Sequence, residues 1–182
     1  ETCEDGLQAS GATYRICMPA VWNGDLMLYA HGYVSPTRPV GIPEDQLNLP
    51  GVGSIDTIVT NQGYAFATTS YSVNGLAVVP AQADLIDLVA IFEQKKGRAD
   101  KVLLAGFSEG GLIAALLAEH TPSVFDGVLA MCGPYGSFAG QVDYVGDFRV
   151  LFDYYFPGLM PPTPVDIPDS LLATWETETY ST

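Results

Sequence analysis

The sequence predicts an α/β domain, a mostly parallel sheet with helices on both faces. Three observations carry this. Leu26–Ala30 is a continuous apolar run, the pattern of a strand buried on both faces, and Lys101–Phe107 is a second. Strand-like and helix-like stretches alternate along the chain, as βαβ units require. At 182 residues, with 48% hydrophobic and 15% charged, the chain can bury one core but is short for two.

Taken in order, Ala12–Met18 alternates with period two and ends at Pro19, which predicts an edge strand. Turn chemistry at Trp22-Asn-Gly-Asp precedes the run Leu26–Ala30, and the Pro- and Gly-rich residues 34–54 predict a loop. Ile55–Gln62 predicts a short helix closed by Gly63, followed by a strand at Tyr64–Thr69. Between Ala81 and Lys96, Leu85, Ile86, Leu88, Val89 and Phe92 recur at helical spacing, with lysines in the last turn and Gly97 as a cap. Glu109–His120 predicts a second helix and Asp126–Met131 a further strand. From Pro134 onward the chain turns aromatic and then Pro-rich, with no strand pattern. It divides there into a core at residues 1–133 and a cap-like or lid segment at 134–182, truncated or nicked.

Seven Lys+Arg against 21 Asp+Glu give a net charge of −14, a surface that repels phosphate backbones and anionic lipid. Nucleic acid is therefore not expected as a partner. No apolar run approaches the roughly 18–20 residues that span a bilayer. The chain opens at Glu1 without Met or a leader-like segment, so either a leader has been removed or the sequence begins inside a longer one. Cys3 and Cys17 could close an N-terminal loop, which would fit a secreted or periplasmic protein; three reduced cysteines would fit a cytosolic one. Cys132, in an apolar run, is expected to be a buried thiol. No cysteine pair has metal-ligand spacing and there are two histidines, so no metal and no cofactor is implied.

The chemistry concentrates at Gly106-Phe107-Ser108-Glu109-Gly110, set between the strand 101–107 and the helix 109–120. A serine on such a turn is held at the carboxyl end of a strand with a helix N-terminus aimed at it. Gly106 and Gly110 are expected where side chains would collide as the chain reverses. His31-Gly32-Tyr33 follows the first buried run directly. Acyl transfer needs N–H donors aimed at the developing oxyanion. Here those would be the Tyr33 N–H, with Gly32 allowing the loop to approach, and the Glu109 N–H.

With these residues in order, the segment from about Ala12 to Gly133 resembles the α/β-hydrolase superfamily, and Met18–Tyr33 is similar to the opening of bacterial secreted serine esterases within it. The resemblance implies Ser108 as nucleophile, Tyr33 and Glu109 as oxyanion donors, and a carboxylesterase acting on a small ester. The aromatic residues after Pro134 point to an apolar or aromatic ester, although aromatics packing a cap onto its body would look the same.

In that superfamily the order is Ser, then Asp or Glu, then His, and no His follows His120. His120 is twelve residues beyond Ser108 on the same helix, roughly 18 Å away at about 1.5 Å per residue. His31 is the other candidate base, and Asp143, Asp147 and Asp153 fall in the cap-like segment. The fold is thus expected to be incomplete at its C-terminus. Acid and base would come from a further C-terminal fragment of the same precursor carrying Asp or Glu and His. The alternatives are a non-catalytic binding protein of the same fold, or an amidase, peptidase or thioesterase, since the turn does not encode the leaving group.

Overall fold

The computed structural model, which describes residues 2–49, 51–163 and 168–174, begins with an antiparallel hairpin of β1 (Thr2–Leu7) and β2 (Thr13–Met18). The chain continues through β3 (Leu26–Ala30), α1 (Glu44–Leu47), the short pair β4 (Asn48–Leu49) and β5 (Gly53–Ser54), and α2 (Ile55–Asn61). It then forms β6 (Ala65–Thr69), α3 (Val78–Lys96), β7 (Val102–Phe107), α4 (Glu109–His120), β8 (Gly127–Met131), α5 (Phe138–Tyr155) and α6 (Asp169–Thr174). Six strands form one sheet in the order β1-β2-β6-β3-β7-β8. The last four are mutually parallel and β2 pairs antiparallel with β6.

The period-two rule of a pleated sheet separates two cores. Tyr14, Ile16, Leu26, Leu28, Ala65, Ala67, Val102 and Leu104 point to one face, under the buried side of α3 and α4. Cys17, Tyr29 and Phe66 point to the other, where Leu47 of α1 and Ile55 and Val59 of α2 cover them. A sheet covered on both faces is why these strands read as continuous apolar runs rather than alternating ones.

Three expectations are corrected. β2 is an inner strand, because β1 pairs along its outer side; β1 is polar and mostly exposed, with no apolar pattern to announce it. The stretch 34–54 contains α1 and the β4–β5 pair rather than loop alone. Cys132 is exposed, because β8 ends at Met131 and the next residue turns out of the sheet with φ 51°. α3 also begins at Val78, with Pro80 accommodated in its first turn, where a missing N–H costs nothing.

One residue ties the hairpin to the body, and a disulfide staples its two strands. Gln8 Nε2 donates to the Asp84 carbonyl and to Asp87 Oδ2, and its Oε1 accepts from Thr69 Oγ1. Cys3 and Cys17, opposite each other in the hairpin register, form a disulfide. Contacts divide the chain into residues 1–135 and 136–182. In the second unit α5 is capped by Ser137, whose Oγ accepts from the Gly140 N–H. Phe148, Phe152 and Phe156 line one side of it at four-residue spacing. No helix among the described residues is long and apolar enough to cross a membrane.

Because the disulfide closes a loop across 14 positions, it restrains the unfolded chain by about 3 kcal/mol. Cys3→Ala should lower urea-unfolding stability by about that amount. Reductant should reproduce the loss in the wild type and add nothing in the variant.

Candidate active site

Ser108 stands between the end of β7 and the first residue of α4 with φ 58° and ψ −121°, a conformation non-glycine residues rarely adopt. Its N–H donates to the Met131 carbonyl at the end of β8 (2.9 Å), while its carbonyl accepts from Gly111 and Leu112. Both neighbours of the turn are thereby fixed. The strain is held by close backbone packing. A Cβ at Gly106 would overlap the Gly110 carbonyl, and one at Gly110 would overlap the Ala30 carbonyl. The half-buried Ser108 hydroxyl has no hydrogen-bond partner among the described residues.

Gly32 lies against this turn. A Cβ there would stand 3.3 Å from Ser108 Cβ and 3.4 Å from the Phe107 carbonyl, so a glycine permits the approach. Of the backbone groups of Gly32 and Tyr33, three are bonded inside the protein. The Gly32 N–H donates to Gln46 Oε1 (2.7 Å), the Tyr33 carbonyl accepts from Gln46 Nε2 (3.0 Å), and the Gly32 carbonyl meets His31 Nδ1 (2.7 Å). The fourth, the Tyr33 N–H, has no acceptor among the described residues. In a trans peptide the N–H points opposite to the C=O, and no described peptide is cis. The Tyr33 N–H is therefore aimed away from the His31 ring. Glu109 is the first residue of α4, where an amide has no acceptor within its own helix.

His31 is an internal fixture. It is 1% exposed, its ring stacks on Tyr71 with centroids 3.9 Å apart, and the Tyr71 hydroxyl donates to the His31 carbonyl. Since Nδ1 faces a carbonyl it carries the proton. Burial pushes the imidazole below its ordinary value, only partly offset by the backbone oxygens near it. Nε2 has no partner, and neither ring nitrogen bonds Ser108. His120 is exposed at the far end of α4. The Glu109 carboxyl, 6% exposed, accepts from the Ala77 N–H at the start of α3 (2.6 Å); burial raises its pKa and that bond opposes the rise.

A cavity of about 690 Å³ opens on Ser108, within the roughly 300–1,000 Å³ common for small-molecule sites. Tyr29, Ala105, Phe107, Met131, Leu49 and Ile55 give it an apolar lining, and Tyr33, Asp45, Gln46 and Asn48 complete the wall. The sequence did not single out Gln46, since nothing in an isolated Gln inside a Pro- and Gly-rich stretch signals a loop clamp. Among the described residues, potential metal-binding atoms converge at Cys3, Cys17 and Asp56. The two sulfurs there are joined to each other and offer no thiolate.

No protein-family model matches the sequence, and no curated protein does. Solved structures do match. The Pyrococcus furiosus esterase Pf2001 superposes with TM-score 0.59 over 86% of this chain and 56% of its own, at 13% identity. A highly thermostable carboxyl esterase from Bacillus coagulans gives 0.58 over 100% and 59%, at 15% identity. The rice cell wall degrading esterase LipA from Xanthomonas oryzae gives 0.54 over 90% and 53%, at 15% identity.

The chain has the α/β-hydrolase fold.

It spans less than two thirds of the length of each of these neighbours. Within the α/β-hydrolase frame, the turn bearing Ser108 sits on β7, between β3 and β8 in the sheet, and the Gly32–Tyr33 loop leaves β3 beside it.

A His31 held neutral stabilises the fold above the ordinary imidazole value of 6.5. That contribution is lost as pH falls towards the depressed folded value, because only the unfolded chain takes up the proton readily. His31→Asn keeps a donor for the Gly32 carbonyl without a titrating group. The Tm advantage of the wild type over this variant should shrink between about pH 7.5 and pH 5, and a gap independent of pH would refute the buried neutral imidazole.

Proposed function

We propose that the protein is a serine hydrolase that cleaves carboxylic esters through an acyl-enzyme on Ser108. The observation that carries this reading is the Ser108 turn, its hydroxyl unbonded at the mouth of an apolar cavity, with the Gly32–Tyr33 loop packed against it. That the neighbours named above are esterases supports the choice of ester chemistry.

In this reading the Ser108 oxygen attacks the acyl carbonyl and gives its proton to a base. The carbonyl oxygen becomes an oxyanion that accepts from the Tyr33 and Glu109 N–H groups. Collapse of the tetrahedral intermediate releases the alcohol, which takes up the proton, and water then cleaves the acyl-enzyme. Gly32, Gly106 and Gly110 allow the loop, the turn and the helix to come this close. The apolar lining favours an ester with an apolar or aromatic group, and the disulfide supports a secreted or periplasmic setting.

Neither histidine of the chain bonds Ser108. We therefore assign base and acid to further polypeptide of the same precursor, carrying His and Asp or Glu. β8 supports this: among the described residues it pairs with β7 on one side only, and Leu129 is 58% exposed on it. An edge strand of that kind offers unpaired backbone to another strand. The unpartnered serine equally favours a second reading, a binding protein of this fold without turnover.

Fluorophosphonate labelling separates the two. The expected result, on the complete protein that carries the assigned base and acid together with this chain, is one phosphonyl adduct on Ser108, located by peptide mass spectrometry and absent in Ser108→Ala. A folded complete protein that takes no label would leave the binding reading. In competition with the probe, esters with apolar acyl groups should protect Ser108 from labelling better than charged ones of equal size.

A further inference from the structure

The Gly32–Tyr33 peptide is the unit whose N–H the reading above uses, and its orientation is set from three directions. His31 Nδ1 holds its carbonyl from one side. On the other, one carboxamide brackets it: Gln46 Oε1 takes the N–H before the peptide, and Gln46 Nε2 gives a proton to the carbonyl after it. Rotating the peptide plane would break the His31 bond, and Gln46 fixes the flanking peptide on each side of it.

We propose that Gln46 is a positioning residue of this site, holding the Tyr33 N–H in the direction an oxyanion on Ser108 needs. The proposal rests on the serine-hydrolase reading. Gln46 can do this because α1 is itself anchored. Leu47 is buried beside Cys17 and Phe66, Glu44 bonds Arg15 on β2, and Asp45 pairs with Arg38. A four-residue helix has little stability of its own, so these tertiary anchors set where the carboxamide lies. Gln46 also lines the cavity, which makes it the polar side chain through which substrate space and oxyanion loop communicate.

The chemistry of the bracket is specific: one acceptor and one donor are needed at once. Alanine supplies neither. A glutamate carboxylate accepts from Gly32 but gives nothing to the Tyr33 carbonyl, and brings negative charge to a site that must stabilise it. A protonated glutamic acid supplies both, because its O–H donates while the other oxygen accepts.

The test is the second-order rate of fluorophosphonate reaction at Ser108 in the complete protein carrying the assigned base, as wild type, Gln46→Ala and Gln46→Glu, across pH. Circular dichroism and Tm serve as the folding controls, and amide exchange at Gly32 as an independent readout. Removing an oxyanion donor costs about 10²–10³ in rate, and misaiming one should cost less, about tenfold or more. We expect Gln46→Ala to be slowed by that amount at every pH, with faster Gly32 exchange and little change in saturation by an apolar ester. Gln46→Glu should be slow at neutral pH, and its rate relative to wild type should recover as pH falls into the carboxyl range. A merely structural role would not produce that recovery. Wild-type labelling with an unchanged rate in Gln46→Ala would overturn the proposal and leave the serine-hydrolase reading intact. A wild type that does not label would overturn both.

Discussion

The constraint on which the rest of the structure depends is the backbone-to-backbone approach of α4 onto the ends of β3 and β7. Gly110 sits directly under the Ala30 and His31 carbonyls, and Gly106 under the Gly110 carbonyl. Nothing larger than hydrogen fits between them. Once α4 is seated this deeply, the residue joining it to β7 must turn sharply, which places Ser108 at positive φ with its side chain directed away from the packed backbone. The same approach brings the loop after β3 against the serine. Turn, loop and cavity are thus consequences of one contact made without side chains.

How much of this was readable in the sequence follows from which physical signal each part leaves. β3, β7 and α4 carry strong apolar patterns because both faces of the sheet are covered, and the glycines at 106 and 110 mark the close approach. β1 leaves no such trace. Its partner is β2 alone, most of its side chains meet solvent, and Thr-Cys-Glu-Asp-Gly-Leu has neither period nor hydrophobicity to show. The exposure of Cys132 was hidden for a related reason: an apolar neighbourhood in sequence does not reveal where a strand stops.

The site divides in the same way. Ser108, Gly32 and Tyr33 stand in recognisable local patterns, whereas Gln46 acts across 13–14 positions of chain from a four-residue helix. Its role exists only in three dimensions, where a side-chain amide takes the place of a strand partner for two residues that have none. Glu109 is intermediate. Its backbone position follows from the motif, but the bond from its carboxyl to the Ala77 N–H joins two helices 32 positions apart. The sequence has no way of pairing those two residues.

The Arg15 guanidinium bonds Asp5 on β1 and Glu44 on α1, and both carboxylates hold it well above its usual basicity. The edge strand is therefore coupled, through one cation, to the helix that orients the loop beside Ser108. In a chain with so few positive charges, this places a keystone at the rim of the sheet. Trimming β1 would therefore act on the surroundings of Ser108 from a distance.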